Sequence, residues 1–415
     1  MRVLVLLPDF VVPAERGFRV RLLSQLRAID SIPAVESITV LSMSEVAVSD
    51  ELRRSLDSHV PKVRSEPVVR RLLRIRRSFT AFQAVVGARI LRGEPYLIAT
   101  NESGEFRRLV REHLRRSSFD IVYFGLLGMM GYLEDVRALA PRARTVLEQH
   151  NVEWQIFDRL ASSYRTPFRQ VVRLEARALR RFEQRALSAV DAVIAISDDD
   201  ARHFRELARV ESVVVPPFVE AAPRRIESCS EPSIGYIGHL GWQPNVYGLD
   251  WFCKSVWPLV RSRIPDARLT IAGPGLERTT DGRLVIPAGW QVPGVTTLGF
   301  VDQLETLYAK IVAMVAPVVG GSGVRMKLLE AMSAGIPTVT TSDGAAGLAI
   351  ANGREVLVAD SPGEFAESVV RVLEDRALRD DLRLAGYEYL AARHSLAVAR
   401  KAIEIAFGIP RHPSG

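Results

Sequence analysis

The sequence predicts an α/β protein of two parallel-sheet domains facing across a cleft. Three observations lead there. Apolar runs of strand length alternate with helix-length segments up to about residue 215, a proline-rich break follows, and the same alternation then restarts. At 415 residues the chain is also long for one core, since a domain takes roughly 100 to 200 residues. Two such sheets in tandem direct attention to the loops at the carboxyl ends of their strands, where open parallel sheets bind ligands.

In the first half the strand-like runs are 2–7, 38–41, 120–124, 145–147, 192–196 and 213–215. Between them, 16–29 carries Phe18, Leu22, Leu26 and Ile29 on one helical stripe, while 102–116 and 164–187 have helical spacing and length. Asp198-Asp199-Asp200 reads as a helix N-cap and first turn, the bland alternative to a metal cluster. Pro216-Pro217, followed by Pro223 and Pro232, marks the hinge. Beyond it, strands are expected at 234–237, 268–272, 296–298, 311–316, 338–341 and 356–358, and helices at 246–263, 302–307, 323–334, 362–374 and 377–392. The predicted domains are 1–215 on the acceptor side and 216–395 on the nucleotide side, with 396–415 as a C-terminal helix and tail.

A hydrophobic content of 47% with 25% charged residues describes an ordinary globular chain. Two cysteines, Cys229 and Cys253, make neither a disulfide framework nor a zinc site, which predicts a reducing compartment. The apolar run 3–7 is too short for a signal peptide, and no later run approaches the ~20 residues that span a bilayer, so a cytoplasmic location is expected. The net charge of +7 belongs to the first 215 residues, which hold 35 Lys and Arg against 27 Asp and Glu. Two helix-compatible amphipathic segments carry much of it: 62–79, with Arg70, Arg71, Arg74, Arg76 and Arg77, and 165–185, with Arg165, Arg169, Arg173, Arg177, Arg180, Arg181 and Arg185. They read either as solvated helix faces or as docking surfaces for the anionic inner face of a membrane. No nucleic-acid motif or aromatic stacking pattern accompanies the charge.

The most informative stretch is Gly320-Gly321-Ser322-Gly323-Val324-Arg325-Met326-Lys327-Leu328-Leu329-Glu330-Ala331-Met332. It joins a strand to a helix through a glycine loop, and Ser322 is placed to cap that helix, whose free first-turn amides suit a phosphate. Arg325 and Lys327 in the first turn are unfavourable beside the positive helix end unless an anion lies between them. Glu330, one turn on, is placed to accept from vicinal hydroxyls such as those of a ribose. The competing reading is a helix start with surface cations and a Glu330–Lys327 pair. No glycine fingerprint for a dinucleotide follows 2–7 or opens 235–241, and there is no P-loop.

Taken in order, these motifs resemble the retaining glycosyltransferases of family 4 (group 1), which have two Rossmann-like domains in the GT-B architecture. The residues that carry the resemblance are Gly235-Tyr236-Ile237-Gly238-His239-Leu240-Gly241-Trp242-Gln243-Pro244-Asn245, Thr270-Ile271-Ala272-Gly273-Pro274-Gly275, Leu298-Gly299-Phe300-Val301, the 320–332 stretch, Gly344 to Leu348 and 352–358. In the first half they are Glu148-Gln149-His150-Asn151-Val152-Glu153-Trp154 and Asp191 to Ser197. The resemblance implies that Arg325 and Lys327 bind the diphosphate, that Glu330 holds the ribose, and that Phe300 and Val301 meet the base. It further implies close phosphate approach at Gly238, the loop Gly321, Ser322 and Gly323 beneath the leaving phosphate, and Arg16, Gly17 and Arg21 on the acceptor side. His150 would stand near the transferred sugar, although a satisfied core histidine is the equal alternative.

Many members of that family carry two glutamates with seven residues between them; here Glu330 is the second and Ser322 occupies the first position. The resemblance therefore implies transfer of a sugar, with retention, from a UDP- or GDP-linked donor to a hydroxyl acceptor in polysaccharide, glycolipid or glycoconjugate synthesis, without metal or cofactor. A sugar-nucleotide epimerase, an inverting transferase of the same architecture and a non-catalytic binding subunit are the alternatives.

Overall fold

The computed structural model describes residues 1–13, 17–69, 94–162, 166, 168–219, 231–301, 304–319 and 325–410. The chain divides into two compact units, one of Met1–Pro217 with the segment from Ala397 onward, the other of Phe218–Leu396. Of the expected hinge, from Pro216-Pro217 to Pro232, residues 220–230 lie outside the described residues.

The first unit is built on a seven-stranded sheet: β1 (Arg2–Leu7), β2 (Ser37–Ser44), β3 (Val63–Val69), β4 (Ile121–Gly125), β5 (Arg144–Glu148), β6 (Ala192–Ala195) and β7 (Ser212–Val214). All pairs are parallel, in the order β3-β2-β1-β4-β5-β6-β7. Val3 to Leu7 and the whole of β4 are buried, as continuous apolar strands covered on both faces must be. The helix Gly104–Arg116 shows how local signals and packing agree: Ser103 accepts from the Phe106 amide at its start, and Phe106, Val110 and Leu114 bury its apolar stripe. Ser197 caps Asp198–Ala208 in the same way, so the three aspartates form a first turn at its positive end. The last helix, Leu396–Ala406, is tied to the sheet by Arg144 Nε donating to Ala406 O at 2.9 Å and by Phe407 set edge-on to Tyr123.

The expectation of a basic helix over 62–79 is corrected here. Residues Val63–Val69 pair with β2 as an edge strand, with Val63 and Val68 buried and Arg64 and Val69 exposed. The exposed hydrogen-bonding edge of β2 is satisfied by a strand and not by a helix. The rest of that segment, from residue 70, lies outside the described residues.

The second unit has β8 (Ser233–Ile237), β9 (Arg268–Ala272), β10 (Val295–Gly299), β11 (Ala313–Ala316), β12 (Thr338–Thr340) and β13 (Leu357–Val358) in the order β10-β9-β8-β11-β12-β13, again parallel. This order reverses direction between β8 and β11, which makes the carboxyl ends of those two strands the natural ligand position. Two glycines allow the close packing there. A Cβ on Gly248 would lie 1.6 Å from the Pro317 carbonyl oxygen, and one on Gly273, at φ +145°, would lie 1.7 Å from that of Gly238. The helical segment expected over 246–263 runs from Gln243 to Arg263 and contains a π turn at Phe252–Val256, which keeps Phe252, Cys253, Val256 and Trp257 facing the core.

Candidate donor site and the His150 network

The ends of β8 and β11 bring three sequence-expected residues of the second unit together. The helix after β11 begins at Met326 and runs to Ser333, later than the expected start at Gly323. Its N-cap position is Arg325, in an extended conformation with no side-chain cap bond. The reason is visible in the sequence: the cap position falls where the extended backbone turns into helical geometry, and here that residue is an arginine, whose side chain cannot accept. Gly321, Ser322 and Gly323 lie outside the described residues.

Lys327, on the first turn, reaches back to β8. Its Nζ donates to Tyr236 Oη and to Asn245 Oδ1, both at 3.1 Å, and lies 4.6 Å from the centre of the Tyr236 ring. Asn245 is itself fixed by donating to the His239 carbonyl at 3.0 Å. A Cβ on Gly238 would sit 2.9 Å from Lys327 Nζ, so glycine is what lets the cation lie against the end of β8. Burial, then the neighbouring charge of Arg325, pushes the Lys327 ammonium down to about 8, with Glu330 opposing. Arg325 is lowered as well, by burial, against the charge of Asp343. Glu330 is raised by burial and held back by Lys327. Two cations are thus concentrated at the positive end of a helix, partly desolvated, where an anion would stabilise all three features. Phe300, just past β10, is 58% exposed, and Val301 packs against the small cluster around Ile237 and Leu328.

In the first unit two of the expected acceptor-side residues, Gly17 and Arg21, are described, both on one helix. Arg16 lies outside the described residues, and Gly17 opens the helix Gly17–Asp30. Arg21 is 5% exposed and directs its guanidinium inward, donating from Nε to Glu148 Oε1 at 2.9 Å and from Nη2 to the Val215 carbonyl. His150 Nε2 stands 3.1 Å from the same Glu148 oxygen, and the Tyr123 hydroxyl donates to Oε2. Burial alone would raise the Glu148 carboxyl, but the charges of His150 and Arg21 and the hydrogen bonds from His150 and Tyr123 outweigh it and hold it at about 2. Close by, Glu183 accepts from Gln149 Nε2 at 2.7 Å and from the Glu153 amide at 3.3 Å. Burial raises Glu183 to about 8 and Glu153 to about 7.

Sequence reasoning singled out His150, Arg325, Lys327, Glu330 and Gly238, and Arg21 for the acceptor side, but passed over Tyr236 and Asn245 on Lys327 and Glu148 and Tyr123 beside His150. Asn245 and Glu148 stand inside the quoted motifs, so their signal was present. Tyr123 carried none, because a tyrosine in an apolar strand reads as core.

Comparison with known proteins agrees with this architecture. Residues 75–222 match the family model Glycosyltransferase Family 4, and 231–375 match Glycosyl transferases group 1. An uncharacterized 44.6 kDa protein in the cps region of Klebsiella pneumoniae is 28% identical over 138 residues, 32% of this chain and 35% of that protein. The GDP-mannose-dependent monoacylated alpha-(1-6)-phosphatidylinositol monomannoside mannosyltransferase of Corynebacterium glutamicum is 29% identical over 154 residues, 36% of this chain and 40% of that one. The matched region thus spans well under half of either curated relative. Among solved structures, Anabaena HepE in complex with UDP and glucose superposes with a TM-score of 0.63 at 12% identity, covering 98% of this chain and 99% of its own. The chain thus carries a Glycosyltransferase Family 4 match in its first half and a Glycosyl transferases group 1 match in its second, and its fold is shared over nearly its full length with Anabaena HepE.

Proposed function

We propose that the protein transfers a sugar, with retention of configuration, from a nucleoside diphosphate sugar to a hydroxyl acceptor. The observation that carries this reading is the Arg325–Lys327 pair at the end of β11. Its lysine is held by Tyr236 and Asn245 against Gly238, and its charge is costly until an anion arrives. When the bond between sugar and phosphate breaks, negative charge grows on the diphosphate and the sugar becomes oxocarbenium-like. Arg325, Lys327 and the amides of the helix Met326–Ser333 stabilise the first change, the role a metal ion fills in other transferases, and on this reading no metal is required. Glu330 holds the ribose, Phe300 and Val301 lie along the base, and the loop of Gly321, Ser322 and Gly323 supports the leaving phosphate. His150 acts on the transferred sugar. Attack from the face of the departing phosphate, which takes the acceptor proton, retains configuration.

The names of the relatives favour an acceptor in polysaccharide or glycolipid synthesis, and they leave UDP and GDP both in play. Membrane contact is part of the proposal. The helix Phe168–Leu187 exposes Phe168, Val171 and Leu174 beside Arg173, Arg177, Arg180 and Arg181, a composition suited to an anionic interface. Among the described residues no helix is long and apolar enough to cross a membrane. Sedimentation with vesicles containing anionic lipid should recover the protein and weaken with salt, whereas equal recovery on neutral vesicles would remove this part of the reading.

The deciding experiment is isothermal titration of the purified protein, without added metal, against UDP, GDP and dTDP, repeated with Arg325→Ala. Binding of one nucleotide, weakened about 100-fold or more by the substitution, is expected. If none of the three binds, the donor site is wrongly placed and a non-catalytic subunit becomes the better reading.

A further inference from the structure

A cavity of about 550 Å³ opens between two helices of the first unit, Phe168–Leu187 and Asp198–Ala208. Arg177, Arg180 and Arg181 line it from the first helix and His203 and Glu206 from the second, so three guanidinium groups accompany one carboxylate. Arg180 and Arg181 follow Arg177 by three and four residues, the spacing at which helical side chains are neighbours and like charges repel. Among the described residues no carboxylate forms an ion pair with any of the three, Glu206 included. One of these cations is held in place. The Arg180 guanidinium lies 5.0 Å from the centre of the Trp154 ring, on the helix Glu153–Ser162, and that ring stands 6.0 Å from the ring of His203. Trp154 packs against the core of the first unit, so Arg180 rests on a fixed support before any ligand arrives.

We propose that this cavity binds a phosphate monoester, with Arg177, Arg180 and Arg181 donating to its terminal oxygens. A guanidinium is a planar fork that matches two phosphate oxygens and stays charged at any physiological pH. A monoester has three unsubstituted oxygens and carries about two negative charges at neutral pH, which meets the excess of positive charge in the lining. The volume falls in the range of small-molecule sites, with room for part of the group that carries the phosphate. Glu206 opposes the anion. A charged helix face would hold any anionic interface in proportion to its charge, whereas forked donors around a cavity separate monoester from diester. The site lies wholly in the first unit and does not depend on the transfer reaction or on Arg325 and Lys327. Its chemistry suits a lipid headgroup and a soluble phosphate ester alike.

The test uses the full chain carrying Arg325→Ala, so that uptake at the donor residues is suppressed. Titration calorimetry with glycerol 3-phosphate at constant ionic strength should show binding that Arg177→Gln combined with Arg181→Gln weakens about tenfold or more. Glu206→Gln should strengthen it about two- to threefold. These side chains are exposed, so melting should stay unchanged in every variant, which separates loss of a ligand contact from loss of the fold. Co-sedimentation then compares phosphatidylcholine vesicles doped with phosphatidic acid, a monoester, and with phosphatidylglycerol, a diester, at matched surface potential. A preference for phosphatidic acid that the double variant abolishes assigns a lipid headgroup. Binding of glycerol 3-phosphate with equal recovery on the two vesicles assigns a soluble ester. Either signal persisting in the double variant overturns the proposal, as does the absence of both.

Discussion

Raising the pH from 7 to 9 should weaken nucleoside diphosphate binding about tenfold, through Lys327. In the free protein burial and Arg325 hold this ammonium at about 8 in place of the usual 10.5, so at pH 9 it is mostly neutral. A bound diphosphate replaces the lost solvation and the unfavourable neighbour with an opposite charge, returning the group toward its ordinary range. Binding above pH 8 must then take up a proton, and affinity falls by up to a factor of ten per pH unit until the bound-state value is reached. Between pH 7 and 9 that is about 1.4 kcal/mol. Titration calorimetry in buffers of different ionisation enthalpy measures both the affinity and the proton uptake, which should approach one proton at pH 9. Staying at or below pH 9 keeps the nucleobases largely out of the titration. Lys327→Met should bind more weakly at pH 7 and lose the pH dependence. A native affinity that is flat over this range, or a Lys327→Met variant with the native slope, would refute the assignment of Lys327 to the phosphate.

Gly238→Ala places a methyl 2.9 Å from both Lys327 Nζ and the hydroxyl of buried Tyr236, so nucleotide affinity should drop about tenfold with some loss of melting temperature; an unchanged affinity would detach Gly238 from the site. Gly248→Ala instead drives a methyl to 1.6 Å from the Pro317 backbone oxygen, and the second unit should lose about 3 kcal/mol or more in denaturant unfolding, because neither helix nor strand end can yield cheaply. Glu183 has a folded-state value raised from 4.5 to about 8, so its protonated form favours the fold: that contribution is complete below about pH 4.5 and is lost as the pH rises through about 8. Thermal melts of the first unit should therefore fall between pH 5 and 8.5, and Glu183→Gln, neutral throughout, should shrink that fall by on the order of 2 kcal/mol. A variant that keeps the native pH slope would show that Glu183 is not the titrating group.

The architecture was legible because parallel strands buried on both faces must be written as short apolar runs. Residues 2–7, 120–124, 234–237 and 268–272 could hardly be anything else. Edges and ends were less legible. β3 mixes Val63 and Val68 with Arg64 and Glu66, and only the unfilled edge of β2 makes a strand of it. The helix start at Met326 could not be read from Ser322, since capping depends on where the backbone becomes extended and not on which residue could cap.

By itself the sequence determined the fold class, the order of its elements and the motif residues Gly238, His150, Arg325, Lys327 and Glu330, because periodicity and a glycine loop before a helix are local properties of the chain. Tertiary structure decided what each of those residues touches. Lys327 meets Tyr236 and Asn245, and His150 meets a carboxylate shared with Arg21 and Tyr123, partners separated by up to 127 residues in the case of Arg21 and Glu148. Desolvation and charge act through space, so the lowered Lys327 and the ionised, buried Glu148 exist only once strands distant in sequence are brought side by side.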